Sequence, residues 1–201
     1  FWLKTVTMGG PCRLKQPGKL GKLGPACTDN FQVREFKFDG RDWLSVEQCY
    51  QAQKFTSRDI QEKLRKMAKY AEEKDSAHGM RVWNEGQRHK DVREDWDAVK
   101  VEVMYRASLA KYVQNPDLQA ELLATSGLDI VGAPSTSWRG QTGSYNWSLW
   151  NGRIQTRIRE ELRPLSEQGE FLEALRKEFD DYLEGEGGAK LPIPEIVTTS
   201  S

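Results

Sequence analysis

Three side chains able to carry a reaction lie together in one short run, Trp43-Leu-Ser-Val-Glu-Gln-Cys-Tyr-Gln-Ala-Gln-Lys-Phe55. A carboxylate transfers protons, a desolvated amine attacks a carbonyl carbon or holds an anion, and an amide orients its neighbours. At about 100° per residue, Glu47, Gln51 and Lys54 fall within roughly 60° of one another on a helix. Val46, Cys49, Tyr50, Ala52 and Phe55 spread around most of the remaining circumference. An ordinary surface helix, with one buried stripe, has no such distribution. The polar stripe either lines a cavity or forms a solvated ridge, the latter worth only a few tenths of a kcal/mol. The breadth of the apolar cover favours the cavity.

The flanking residues fix where such a helix starts. Ser45 and Gln48 form a Ser-x-x-Gln capping box, so the helix is expected to begin there. Upstream, Phe36-Lys-Phe38 followed by Asp39-Gly40 reads as a short strand entering a tight turn. Residues 1 to 8 alternate loosely as a strand would, and the Gly/Lys-rich stretch from 15 to 25 reads as a loop. Downstream, Ile60, Leu64, Met67, Ala68 and Ala71 predict a second helix from Ser57 or Asp59 to Glu73. Residues 74 to 90, with Gly79 and Gly86, read as an irregular, partly helical connection. Val92, Trp96, Val99, Val103, Met104, Ala107 and Ala110 predict the longest helix, over Asp91 to Tyr112. Asn115-Pro116 opens a short helix that Gly127 closes. Ile154 and Ile158 begin another that ends near Pro164, and Ser166 is expected to cap a last one carrying Leu172, Leu175, Phe179 and Leu183.

The whole is read as a mainly α single domain with a few short strands. Its expected divisions are an extension over 1–25, a domain over 26–185 and a disordered Gly/Pro/Ser/Thr tail over 186–201. Thirty basic against thirty acidic side chains leave no net charge, so nucleic-acid contact would have to be local. No apolar run approaches the roughly 20 residues that span a bilayer, and Phe1-Trp2-Leu3-Lys4 lacks a signal-peptide arrangement. An intracellular protein, cytoplasmic or nuclear, is expected. Cys12, Cys27 and Cys49 are odd in number with no Cys-x-x-Cys spacing, and read as plain thiols rather than disulfides or a zinc site. His78 and His89 lie in a polar stretch and read as solvated. No metal site and no cofactor is implied.

Residues 127–152 form a long Gly/Ser/Trp-rich stretch, of a length that is uncommon in a compact domain unless functional. Glycines let backbone approach a ligand, and tryptophan faces stack on sugars and bases. Trp138, beside Gly140, is the better candidate for such a contact. Trp147 and Trp150 fit a loop pinned to the core equally well. Arg157 and Arg159 come next, with guanidinium forks suited to phosphate or to helix salt bridges. No Walker-type or Rossmann-type glycine motif is present.

Asn30-Phe31, then Phe38-x-Gly40 with Trp43, then Val46-Glu47 and Gln51-Ala-Gln-Lys-Phe55 together resemble the opening pattern of the NADAR domain family. Asp95-Trp96, Val103-Met104, Lys111-Tyr112, Asn115, Leu118 and Leu122-Leu123-x-Thr125 resemble its middle helices, and Trp138 with Gly140 resembles its tryptophan loop. The resemblance spans about residues 26 to 163. Gln48 departs from it, standing where the family has a histidine, and Asn146 lies displaced from the family's Asn-x-x-Gly element.

The resemblance implies an α-helical fold and an N-glycosidase. It casts Glu47 as general acid and then base, and Lys54 as a Schiff-base amine or an electrostatic anchor. Asn30 and Gln51 would hold ribose hydroxyls, Trp138 would stack, and Arg159 would face a phosphate, with Phe31, Trp43, Gly140 and Asn146 completing the substrate site. The implied substrate carries ADP-ribose, most simply on a guanine of DNA or RNA. The alternatives are a phosphorylated riboflavin-pathway intermediate and a non-catalytic module that binds ADP-ribose or NAD.

Overall fold

The computed structural model describes residues 10–15, 21–133 and 147–186. Their elements run β1 (Arg13–Lys15), β2 (Lys22–Leu23), β3 (Phe36–Phe38), β4 (Arg41–Trp43), α1 (Val46–Gln53), α2 (Arg58–Arg65), α3 (Asp75–Arg88), α4 (Trp96–Val113), α5 (Pro116–Leu123), β5 (Asp129–Val131), α6 (Trp147–Glu161) and α7 (Glu170–Gly185). The fold is mainly α, as the periodicities indicate. The strand expected over residues 1 to 8 lies outside the described residues.

Helix α4 is the axis. Ala98, Val99, Val101, Val103, Met104, Ala107 and Tyr112 are buried on several of its faces, as expected of a helix enclosed by neighbours rather than lying on a surface. It packs against α1, α6 and α7, with α5 and β3 at its C-terminal end. Its start differs from the sequence reading, since Val92 is exposed and bridges Phe55 across the chain instead of opening the helix.

Two small sheets brace this bundle. In one, β1 lies between β2 and β5, antiparallel to both, with Leu14 opposite Ile130. The stretch read as loop thus contains β2 and the end of β1, and the two residues of β2, Lys22–Leu23, are too few to show the alternation that marks a strand. In the other, β3 and β4 form a hairpin with Phe36 opposite Trp43. Its turn places both Asp39 (φ 52) and Gly40 (φ 68) in the left-handed region, the type I′ geometry that Asp-Gly favours.

Four further helices depart from expectation. Helix α2 stops at Arg65 because the Gln48 amide donates to the carbonyls of Leu64, Arg65 and Met67 at 3.0–3.1 Å, satisfying the end of the helix with a side chain. The stretch read as irregular and partly helical contains α3. Its buried face is His78, Gly79, Val82, Glu85 and Gly86, a true helical period written in small and polar residues. Each glycine there costs about 1 kcal/mol relative to alanine, and close packing requires both: a Cβ at Gly79 would meet Phe31 at 2.4 Å, and one at Gly86 would meet Gln51 at 2.2 Å. Helix α6 begins at Trp147 rather than near Ile154, with Trp150 buried against Phe179 and Tyr182. The last helix takes Gly169, not Ser166, as its N-cap.

The histidines are not both solvated. His78 is fully buried, its Nε2 within 2.8 Å of the Met67 carbonyl, and His89 pairs with Glu85 at 3.0 Å. All three cysteines are free and buried. Burial pushes the Cys12 thiol up to about 12 and that of Cys27 to about 11, so neither is an activated thiolate.

Candidate active site

Ser45 starts the site helix as its sequence requires: in extended conformation, it accepts a hydrogen bond from the Gln48 amide nitrogen at 3.1 Å. The Gln48 side-chain Oε1 reaches one residue further back than in the usual box, accepting from the Leu44 backbone nitrogen at 2.9 Å. The helix comes directly after the β3–β4 hairpin and lies against α2, α3 and α4. Every residue from Val46 to Ala52 is consequently buried. Glu47 and Gln51 are inside the protein, and the ridge reading of the stripe is ruled out.

Glu47 is 6% exposed and Gln51 1%. The Gln51 side-chain amide donates to Glu47 Oε1 at 2.6 Å. Burial raises the Glu47 pKa; the Gln51 hydrogen bond and the charge of Lys54 oppose it, and Asp29 adds a smaller upward push. Such a carboxyl keeps its proton to higher pH than a solvated one, as a general acid requires. Its backbone nitrogen donates to the Asn30 carbonyl at 3.0 Å, which ties the chain before the hairpin to the first turn of α1.

Lys54, the C-cap of α1, is partly buried, with its ammonium over the Tyr50 ring at 5.4 Å from the centroid. Among the described residues its ammonium has no hydrogen-bond or salt-bridge partner. Desolvation lowers its pKa to about 8 against the opposing pull of Glu47. The acid and the amine are thus drawn towards each other in proton affinity. Transfer of a proton from ammonium to carboxylate, which leaves the net charge unchanged, becomes far cheaper than in water.

Asn30 joins this group. Its side-chain amide donates to Asn151 Oδ1 at 3.0 Å, while its own Oδ1 is buried and has no partner among the described residues. A buried acceptor of this kind calls for a donor. Tyr50 forms the adjacent wall, with its ring 4.9 Å from that of Trp96 and 5.3 Å from that of Trp147.

Other expected site residues are placed elsewhere. Trp43 is core: it is 1% exposed and its indole donates to the Phe38 carbonyl at 3.0 Å. Phe31 packs under Gly79. Arg159 is a correction, since its guanidinium is buried and donates to the carbonyls of Thr125 and Leu128 at 2.9 and 2.8 Å, holding the turn after α5. A fork committed to backbone carbonyls is not free to take a phosphate. Trp138, Gly140 and Asn146 lie outside the described residues. Sequence reasoning missed Tyr50 and Asn151 as neighbours of the site. Tyr50 was within reach, because three residues after Glu47 and four before Lys54 is the same helix face. Asn151 was not, because its partner is 121 residues away.

The family model described as the NADAR domain matches residues 16–163. The chain belongs to the NADAR domain family. Among curated proteins it is similar to the N-glycosidase YbiA of Shigella flexneri serotype 5b, 31% identical over 134 residues that cover 66% of this chain and 79% of that protein. A riboflavin biosynthesis protein of Vibrio vulnificus is 33% identical over 135 residues, 67% of this chain and 35% of that protein. Among solved structures, the NMR structure of Escherichia coli YbiA superposes with a TM-score of 0.55 at 29% identity, covering 68% of this chain and 77% of that one. The NADAR match ends at residue 163, just before α7.

Proposed function

We propose that this NADAR protein is an N-glycosidase that hydrolyses a ribosyl C1–N bond, with ADP-ribose on a guanine base as its substrate. One observation carries the reading: a buried carboxyl, oriented by Gln51, shares a helix with an amine whose pKa burial has brought to about 8. Protonated Glu47 delivers its proton to the ring oxygen or to the leaving nitrogen as the C1–N bond weakens. Neutral Lys54 then adds to C1; the Glu47 proton and one proton from the Lys54 nitrogen neutralise the departing base and the ring oxygen as the C1–N and C1–O bonds break, and a protonated Schiff base links sugar and enzyme. Water, deprotonated by the Glu47 carboxylate, releases the sugar as an aldehyde that recloses to the hemiacetal and returns Lys54 to its amine. Asn30, with its bare Oδ1, accepts from a ribose hydroxyl. Similarity to proteins named N-glycosidase supports the bond type.

A second substrate reading, a phosphorylated intermediate of riboflavin synthesis, is favoured by the Vibrio relative's name. The experiment presents both substrates to the wild type and to Glu47→Gln under single-turnover conditions. Release of ADP-ribose from ADP-ribosylated guanosine DNA, slowed at least about 100-fold in Glu47→Gln, supports the proposal. Cleavage of the riboflavin precursor alone moves the substrate and keeps the bond type. Binding without cleavage of either abolishes the enzyme reading. Borohydride added during turnover is expected to trap a sugar on the wild type and none on Lys54→Ala.

A further inference from the structure

Glycine in the last half of a helix is a poor choice unless something occupies the volume of its missing side chain. At Gly86, on α3, that volume holds the Gln51 side chain. A Cβ built there would lie 2.2 Å from Gln51 Oε1, 3.0 Å from its Cδ and 3.3 Å from its Cβ. Contacts below 3.0 Å require something to move, and Gln51 has little room to do so, being 1% exposed. Its Oε1 has no hydrogen-bond partner among the described residues, which leaves it resting against the glycine backbone. Its nitrogen is committed to Glu47 at 2.6 Å. The amide is therefore held at both ends, by a hydrogen bond on one side and by a missing methyl on the other.

We infer that Gly86 is a positioning residue: the absence of a side chain at 86 seats the Gln51 amide so that its N–H group fixes the proton-bearing carboxyl of Glu47. The inference rests on Glu47 being the proposed acid for its effect on turnover. Its structural half stands apart from that reading. The other charged groups acting on this carboxyl are Lys54, on the same helix, and Asp29, before the hairpin. Neither is among the atoms nearest a Cβ built at Gly86.

The test compares the wild type with Gly86→Ala, Gln51→Ala and the double variant, in the full chain. The titration midpoint of the Glu47 side-chain carboxyl is read by carbon-13 NMR, which needs no substrate. The hydrogen bond from Gln51 lowers that midpoint, so Gly86→Ala is expected to raise it, and Gln51→Ala to raise it to a similar extent. In the Gln51→Ala background, Gly86→Ala is expected to add nothing, because there is no longer an amide to displace. On a turned-over substrate, Gly86→Ala is expected to lower kcat about tenfold with KM little changed, and its acid limb is expected to shift with the NMR midpoint. Should Gly86→Ala fail to fold, the double variant is expected to restore folding.

An unmoved Glu47 midpoint in folded Gly86→Ala overturns the inference. So does an equal shift by Gly86→Ala with and without Gln51, or a double variant that stays unfolded. A wild type without glycosidase activity removes the proposed function, and the titration still decides whether Gly86 positions Glu47.

Discussion

Two lysines in this molecule have the same lowered pKa, about 8, for the same dominant reason, burial. Lys54 ends the site helix partly exposed, over an aromatic ring, with no hydrogen bond to its ammonium among the described residues. Lys111, on α4, is 0% exposed; its ammonium donates to the Cys27 carbonyl at 2.6 Å and lies 5.0 Å from the centre of the Tyr112 ring. Tyr112 donates to the same carbonyl at 2.8 Å and approaches Gln155 Oε1 at 2.6 Å. A depressed lysine pKa therefore does not by itself mark a nucleophile. The two are separated by whether the nitrogen lies over a ring with no polar partner among the described residues or is bound to a carbonyl.

The largest expected effect tests the reactive member. Lys54→Met is expected to slow single turnover by about 1000-fold, roughly 4 kcal/mol of barrier, while unfolding in urea changes by less than about 1 kcal/mol because no hydrogen bond is lost. Large destabilisation without a specific loss of turnover would make Lys54 structural and dissolve the contrast. Lys111→Ala is expected to behave in the opposite way. It removes a fully buried stem and a donor to Cys27, so a loss of about 2–4 kcal/mol of stability is expected, with turnover per folded molecule preserved. Lys111→Met, which keeps the volume and discards the charge, should cost roughly 1 kcal/mol or less.

The smallest effect is a slope. Between pH 8 and 10.5 each of these lysines is protonated in the unfolded chain and largely neutral when folded. The unfolded state then binds more protons, so stability rises with pH, by about 1.4 kcal/mol per pH unit for each group. Urea titrations across this window should lose one such contribution in Lys111→Met and the other in Lys54→Met. An unchanged slope in either variant would mean that lysine is charged in the folded protein. Glu47 acts with the opposite sign in acid: its pKa is raised on folding, so its contribution falls as pH rises from about 4.5 towards its folded value.

The same contrast shows how much could be read in the chain. Local signals were legible: the Ser45 cap, the Asp39-Gly40 turn, the long period of α4 and the shared face of Glu47, Gln51 and Lys54 all stand within a few residues of their partners. Signals that depend on a remote partner were not. Gly79 and Gly86 look like helix breakers until Phe31 and Gln51 are placed against them. His78 looks solvated until the Met67 carbonyl meets it. Arg159 looks like a phosphate ligand until the turn after α5 folds around its guanidinium. Lys111 sits in a helix whose period predicts burial, but its partner Cys27 is 84 residues distant, and nothing nearby in sequence announces it.

The Gln48 amide grips the last carbonyls of α2 from the first turn of α1, and so fixes the chain at 64–67 before it loops outward and returns in α3 against the site helix. The catalytic wall is latched to residues 64–67, and the exposed run at Ala71 and Glu72 hangs past the latch. A peptide tag or fluorophore spliced between those two residues would report on the protein from outside while the chemistry proceeds undisturbed.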